Sequence, residues 1–125
     1  MRIYVAGAYT PTDCTLHDAI AISSRNVEKA IEVGIELIRK GHVVYVPHLS
    51  HYIHMNRNCP LDVKWYEFDN SFIEHWANAL YFVSSSKGAD AELELAKKKG
   101  LKIFYKLEDV PEVEMERMHN RKGHN

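Results

Sequence analysis

A serine-rich turn followed by a glutamate is the part of this sequence where chemistry is most expected. Residues 84–88 read Ser-Ser-Ser-Lys-Gly, and Glu92 follows near the start of a helix predicted over residues 89–99. Free backbone N–H groups at a helix N-terminus bind anions such as a phosphate. The helix dipole favours an ionised carboxylate in the first turn, which suits a nucleophile. A serine-capped helix with a solvated glutamate is the alternative without chemistry.

A second carboxyl group lies in an otherwise apolar helical stretch. Asp69, followed by Asn70, interrupts a surface that contains Phe68, Phe72 and Ile73. Burial of an aspartate close to another carboxylate raises its pKa. One ionised and one protonated carboxyl form the pair that glycoside cleavage uses. The alternative is a surface aspartate at the edge of the helix.

The first predicted strand ends in a glycine between two tyrosines. Tyr4 lies within the strand, whereas Gly7 and Tyr9 follow its end. A glycine at the tip of a strand allows a ligand to approach the backbone closely. We expect the Tyr4 hydroxyl to reach towards the carboxylate of Glu92, and the alternative is a tyrosine that only fills the core.

Three histidines follow the second predicted strand. His48, His51 and His54 are spaced three residues apart. Metal ligands on one helix face are usually spaced by about four residues and those on a strand alternate, so this spacing suits neither arrangement well. We interpret them as loop residues that are either solvated or in contact with a ligand, and a zinc site used by a metal-dependent hydrolase is a further alternative.

Strand-like and helix-like stretches alternate along the chain. Buried strands are predicted over residues 2–6, 43–46, 80–83 and 102–105. The intervening helices are predicted to begin near Ser23 or Ser24, at Pro60, and at residue 89, with a long loop over residues 48–59. Repeated strand–helix–strand units imply a parallel sheet with right-handed crossovers.

The expected fold is a doubly wound α/β fold of the Rossmann or flavodoxin-like kind. It has three α/β/α layers and four to five parallel strands, in the order 2-1-3-4. In an open sheet of this kind a ligand binds beyond the carboxyl ends of the strands where the strand order reverses. The site is therefore expected between the loops over residues 7–10 and 84–88.

Length and composition limit the alternatives. The chain has 125 residues, which fits one domain with a core over residues 2–105 and a charged tail over residues 108–125. The net charge of -1 excludes the basic surface typical of a nucleic-acid-binding protein. The two cysteines provide no disulfide framework, and no apolar run reaches the roughly 18 residues of a membrane span. A cytoplasmic protein with no membrane partner is expected.

These motifs, in this order, resemble the nucleoside 2-deoxyribosyltransferase family and its relatives, the 2′-deoxynucleoside 5′-monophosphate N-glycosidases. The resemblance covers residues 2–105 and rests on RIYVAGAY over residues 2–9, on Asp69, and on GADAELELA over residues 88–96. The last segment is similar to the family's G-x-x-x-E-L-G-x-A motif.

The sequence departs from the family pattern at Asn78 and Glu94, and also at Asn70 under one of two alignments. Spacing from Asn78, which stands where the family has an aspartate, aligns Asn70 with the family's helical aspartate. The apolar phasing of the helix instead aligns Asp69, which is the alignment we prefer. Glu94 stands where the family has a glycine.

The resemblance implies cleavage or transfer of the N-glycosidic bond of a nucleoside or nucleotide. Glu92 would be the nucleophile, Asp69 the proton donor, and Tyr4 the residue that orients Glu92. Ser86 matches the phosphate-contacting serine of the glycosidases, which favours a nucleotide substrate. The candidate substrate-binding residues are Gly7, Tyr9, His48, His51, Asn70, Ser84, Ser86 and Gly88.

The resemblance further implies that no metal or organic cofactor is needed. It also implies a homodimer or larger homo-oligomer in which neighbours complete each site. A non-catalytic nucleotide-sensing module with the same fold is the alternative function, and the departures at Asn70, Asn78 and Glu94 favour it.

Overall fold

The structure is a computed structural model that describes residues 1–9 and 15–113. Thr10, Cys14 and residues 114–125 lie outside the described residues, and so does the side chain of His51. Three predictions therefore lie outside the described residues. They concern the end of the 7–10 loop, the role of His51 and most of the charged tail.

Within the described part of the chain, four strands form one parallel sheet. They are β1 (Arg2–Ala6), β2 (Val43–Tyr45), β3 (Ala79–Phe82) and β4 (Lys102–Phe104). Their order is β2-β1-β3-β4, which agrees with the expected order and confirms the α/β class. Because all neighbours are parallel, the carboxyl ends of the strands meet at one edge of the sheet.

Helices connect the strands, and three of them begin earlier or later than the sequence predicted. The described helices are α1 (Leu16–Arg39), α2 (Ser50–Met55), α3 (Trp65–His75) and α4 (Lys87–Lys98). The Thr15 hydroxyl caps α1 by accepting a hydrogen bond from the Asp18 N–H at 3.2 Å, so the prediction of a start at Ser23 or Ser24 was wrong. Pro60 does not begin α3, whose first residue is Trp65.

Short helices occupy much of the stretch that was expected to be a loop after β2. A 3-10 helix spans Pro47–Leu49 and α2 follows it directly. Pro47 stands at the start of the 3-10 helix. The N–H group that a proline lacks would have no partner within the helix at this position. This turn places His48 at the carboxyl edge of the sheet.

Alternate residues of the central strand β1 face the two sides of the sheet, as strand geometry requires. Ile3 and Val5 pack in a buried cluster with Leu37 of α1. Tyr4 and its neighbours on the other side pack in a second cluster with Ile73 of α3. Tyr4 is therefore a core residue whose ring lies beneath α3 and α4.

The segment after β4 belongs to the core and not to a free tail. Val110 is 2% exposed and packs in the same cluster as Ile3 and Val5. The Lys40 ammonium donates a hydrogen bond to the Val110 carbonyl at 3.1 Å, and the Val113 N–H donates to the Lys40 carbonyl at 2.7 Å. The core thus extends beyond residue 105, the limit expected from the sequence.

Among residues 1–9 and 15–113, none of the helices has both the length and the hydropathy that crossing a membrane requires.

Candidate active site

A cleft of about 790 Å³ lies at the carboxyl ends of β1 and β3. Its walls come from the end of β1, from α1, from the 3-10 helix after β2, and from the N-terminal parts of α3 and α4. The cleft is lined by the predicted site residues Gly7, Tyr9, His48, Asp69, Ser86, Gly88 and Glu92. Tyr4, Asn70 and Ser84 are described residues that do not line it.

The nucleophile candidate Glu92 is held by the tyrosine that the sequence paired with it. The Tyr4 hydroxyl, which is fully buried, donates a hydrogen bond to Oε2 of Glu92. Burial raises the pKa of Glu92 to about 7, the hydrogen bond from Tyr4 opposes that rise, and the charge of Asp69 adds to it. Tyr4 stays a neutral donor because burial, and then the nearby charge of Glu92, raise the pKa of its own hydroxyl.

The expected role of the helix dipole in ionising Glu92 needs correction. Helix α4 begins at Lys87, so Glu92 lies in its second turn and not in its first. The dipole acts mainly within the first turn of a helix. Burial therefore dominates, and the carboxyl holds its proton more tightly than a solvated glutamate does.

Asp69 lines the same cleft and is held by a second tyrosine. The Tyr45 hydroxyl donates a hydrogen bond to Oδ1 of Asp69 at 3.1 Å. Asp69 lies one turn before the buried Ile73, so both side chains face the sheet. Burial raises the pKa of Asp69 to about 6, and the hydrogen bond from Tyr45 opposes that rise.

The two tyrosines that hold the carboxyls are neighbours in the sheet. Tyr4 and Tyr45 are partners in the register of β1 and β2, and their ring centroids lie 5.7 Å apart. The Tyr45 ring also stacks on Phe72 at 3.8 Å with an interplanar angle of 12°. Sequence reasoning missed Tyr45, although a strand order of 2-1-3-4 would have placed it beside Tyr4.

The structure separates the two candidates for the helical acid. Asp69 lines the cleft, whereas Asn70 does not. The side-chain oxygen of Asn70 is buried and has no hydrogen-bond partner among the described residues. Of the two adjacent side chains, the carboxyl is therefore the one that lines the cleft.

His48 fastens the loop after β1 to the 3-10 helix. Its Nε2 lies 3.1 Å from the carbonyl oxygens of both Gly7 and Ala8. Carbonyl oxygens only accept, so Nε2 carries the proton. Burial lowers the pKa of His48, while its two backbone hydrogen bonds act in the opposite direction. The imidazole is thus neutral, and its Nδ1 is buried without a partner in the described part of the chain.

Gly7 stands at the strand tip, where other groups approach its backbone closely. A Cβ atom there would lie 3.1 Å from Cβ of Val83 and 3.6 Å from Nε2 of His48. Ser84 closes the same junction, since its hydroxyl oxygen accepts a hydrogen bond from the Ala8 N–H at 3.0 Å. Ser84 therefore joins the two loops of the site and does not line the cleft.

The other residues of the serine turn present polar groups at the start of α4. The Ser86 hydroxyl oxygen caps the helix by accepting from the Ala89 N–H at 3.0 Å, which leaves its own proton available to a ligand. The Ser85 hydroxyl is directed to the Asp90 carboxylate, at 2.8 and 2.9 Å from its two oxygens. Lys87 also lines the cleft, although sequence reasoning did not select it.

An aromatic wall faces the cleft from α2 and α3. Trp65, Tyr66 and His54 line it, and of these only His54 was considered as a ligand contact from the sequence. The Trp65 ring is held edge-on by His54, at 6.3 Å, and by Phe68, at 5.3 Å. The order of aromatic residues in α3 was visible in the sequence, but only the late start of this helix places Trp65 at the cleft.

Tyr9 lines the cleft from the chain that leaves β1. Its ring meets the His48 ring edge-on at 6.2 Å. Its backbone carbonyl accepts a hydrogen bond from the Asn26 side chain of α1 at 3.0 Å. Asn26 also lines the cleft, so α1 helps to place Tyr9.

The two described histidine side chains after β2, His48 and His54, have different surroundings. Nε2 of His48 is used by backbone carbonyls, and His54 is exposed at the cleft. No group of three or more His, Cys, Asp or Glu side chains within residues 1–9 and 15–113 has an arrangement that could hold a metal ion.

Comparison with known proteins identifies no similar protein. No family model, no curated protein and no solved structure matches the chain. The functional argument therefore rests on the residues of the cleft.

Proposed function

We propose that this protein cleaves or transfers the N-glycosidic bond of a nucleoside or nucleoside 5′-monophosphate, with Glu92 as the nucleophile. The observation that carries the proposal is a pair of carboxyls in one cleft, each with a raised pKa and each held by a tyrosine hydroxyl. Glu92 and Asp69 are that pair. Paired carboxyls of this kind perform the nucleophilic and acid–base steps of glycoside cleavage.

In the first step, an ionised Glu92 oxygen attacks the anomeric carbon of the sugar. The bond from that carbon to the base nitrogen breaks, its electron pair leaves with the base, and Asp69 gives its proton to the base. The product is a glycosyl ester of Glu92, formed through an oxocarbenium-like transition state. Tyr4 steadies the carboxylate by its hydrogen bond.

In the second step, water or a second base attacks the same carbon and Glu92 leaves as a carboxylate. The proton of the attacking group passes to Asp69, which restores the starting state. Water completes a hydrolysis and a second base completes a transfer. The pKa of about 6 for Asp69 and about 7 for Glu92 place a shared proton mainly on Glu92, so the reactive form, with Glu92 ionised and Asp69 protonated, is the minor of the two singly protonated forms of the pair.

The polar start of α4 suits the 5′ end of the substrate. Ser86, Lys87 and Gly88 line the cleft there, beside free N–H groups of the helix N-terminus. These groups favour a phosphate, so a nucleoside 5′-monophosphate is the preferred substrate. Trp65 offers a flat face on the α3 side, on which a base can stack.

The proposal includes a doubly wound, Rossmann-like three-layer fold and a cytoplasmic homodimer or larger homo-oligomer. Helices packed against both sides of the parallel sheet support the fold. Exposed apolar side chains around α2 support self-association, since large apolar patches mark interfaces. They include Tyr52, Ile53, Met55 and Leu61.

The test is an incubation of the purified protein with ribo- and deoxyribonucleosides and their 5′-monophosphates, with and without an added acceptor base. Chromatography of the released bases identifies the substrate and separates transfer from hydrolysis. Release of a base by the wild-type protein, and its loss in Glu92→Gln, is expected. Nucleotide binding without release of any base across the panel would replace the enzyme with a sensing module.

A further inference from the structure

We propose that Tyr45 is a positioning residue that holds the Asp69 carboxyl in a single orientation at the cleft, through the hydrogen bond from its hydroxyl to Oδ1. This inference rests on the proposed function and deepens it, because it assigns a task to a residue outside the cleft lining. The Tyr45 hydroxyl lies 3.1 Å from Oδ1 of Asp69.

The Tyr45 ring is fixed by aromatic contacts on several sides. It stacks on Phe72 at 3.8 Å and lies 5.7 Å from the Tyr4 ring at an angle of 40°. Trp76 meets it edge-on at 6.5 Å. These contacts pack the ring on several sides, so its hydroxyl is a donor of defined position.

A hydrogen-bond donor of defined position at Oδ1 gives the two Asp69 oxygens different roles. Oδ1 accepts the hydrogen bond from the Tyr45 hydroxyl, so it remains an unprotonated acceptor. Oδ2 is then the oxygen on which Asp69 carries the proton that it gives to the leaving base. The same hydrogen bond favours the ionised carboxyl, so it limits the rise in pKa that burial causes.

Asp69 has a small set of ionisable neighbours, which the test must separate. Tyr45 of β2 donates to it, and Tyr4 of β1 and Glu92 of α4 are close enough for their pKa values to respond to its charge. Cleft residues from the other packed elements are His48 of the 3-10 helix, His54 of α2, Tyr66 of α3 and Lys87 of α4.

The experiment is a pH titration of protein labelled with ¹³C at the aspartate carboxyl, followed by NMR without substrate. Asp69→Asn identifies the Asp69 signal. Tyr45→Phe keeps the stacked ring and removes only the hydroxyl. We expect it to raise the Asp69 titration midpoint by about 1 pH unit, the scale of a lost hydrogen bond to a charged group.

Tyr81→Phe is the matched control. Tyr81 is a buried tyrosine on the opposite side of the sheet, in the cluster beneath α1. Its variant also removes one phenolic hydroxyl, and the Asp69 midpoint should stay where it is in the wild-type protein. An equal shift in both variants would show a general loss of packing and would overturn the assignment to Tyr45.

The pH profile of kcat/KM provides the second readout, on the substrate that the wild-type protein cleaves. The limb assigned to Asp69 should move upward in Tyr45→Phe by the same amount as the NMR midpoint. An unchanged NMR midpoint in folded Tyr45→Phe overturns the inference, even when the wild-type protein releases base. A shifted midpoint in a protein that releases no base keeps the positioning role and removes the proposed function.

Should Tyr45→Phe not fold, the wild-type protein still tests the contact. With ¹³C-labelled tyrosine rings, the Tyr45 signal should titrate with the midpoint of the Asp69 carboxyl and should lose that titration in Asp69→Asn. A Tyr45 signal that ignores the ionisation of Asp69 would overturn the proposal.

Discussion

Glu92 on α4 accepts a hydrogen bond from the buried hydroxyl of Tyr4, a residue 88 positions earlier in β1. The bond joins the central strand to the helix that carries the candidate nucleophile. A tyrosine that only fills the core has its ring packed and its hydroxyl bonded to any available acceptor. Here the acceptor is a carboxyl that also lines the cleft.

Glu92→Gln should abolish turnover and leave the fold intact. The amide has nearly the shape of the carboxyl and its oxygen can still accept from Tyr4, but it cannot attack a sugar carbon. Release of base from a nucleotide, measured by chromatography, and the circular dichroism spectrum check the two parts. Glu94→Gln is the matched control, because Glu94 is an exposed residue of the same helix that lies 3.6 Å from the Lys97 ammonium. Turnover by Glu92→Gln at the wild-type rate would refute the mechanism.

Asp69→Asn should slow base release by about 10²-fold, the usual scale for a lost proton transfer. The amide keeps an acceptor for the Tyr45 hydroxyl at 3.1 Å, so positioning is largely preserved. The kcat for a substrate with a poor leaving base measures the effect. Asn70→Ala serves as the control and should leave kcat unchanged, since the Asn70 amide does not line the cleft. The reverse result would make Asn70 the working residue.

Stability should fall as the pH rises from about 4 to about 7. Burial raises the pKa of Asp69 from 3.8 to about 6 and that of Glu92 from 4.5 to about 7, so the folded protein binds these protons more tightly than the unfolded chain. Their contribution is complete below the unfolded pKa values and is lost as the pH passes through the folded ones. Urea unfolding across this range measures it.

The matched measurement is made on the Glu92→Gln protein. Its free energy of unfolding should vary less with pH than that of the wild-type protein, by about 1 to 3 kcal/mol over the same range. Parallel curves for the two proteins would mean that the Glu92 pKa is not raised by folding.

Lys87→Ala should weaken the use of a nucleoside 5′-monophosphate more than that of the nucleoside. Lys87 lines the cleft at the start of α4, where an ammonium can face a phosphate. We expect KM for the monophosphate to rise about 10-fold, the scale of one charged hydrogen bond. Lys98→Ala, at the exposed far end of the same helix, is the control. Equal KM changes for nucleoside and monophosphate would exclude phosphate binding by Lys87.

The sequence was sufficient for the strands and for one side of the site. Continuous apolar runs identified β1 and β3, and the glutamate of α4 could be paired with Tyr4. It was insufficient where the contact depends on long-range register. Tyr45 looks like any strand tyrosine until β2 lies beside β1, and only then does its hydroxyl reach Asp69.

Helix limits were the other weakness. Local signals at Ser23 and Pro60 resemble helix starts, yet α1 is already capped by Thr15 and α3 begins only at Trp65. The choice between Asp69 and Asn70 depended on the phase of α3, which the apolar spacing of Phe72 and Ile73 already indicated and with which the buried Ile73 agrees. Helix propensity alone carries no information about this phase.

The packing of Val110 in one cluster with Ile3 and Val5 decides how the cleft could be isolated as a fragment. A chain truncated directly after β4 would retain every residue of the cleft and all four described strands. It would nevertheless expose the face of β1 that carries Ile3 and Val5, and β1 is also the strand that carries Tyr4. The smallest fragment that keeps the cleft must therefore include the residues around Val110, which pack on the face of the sheet opposite Tyr4.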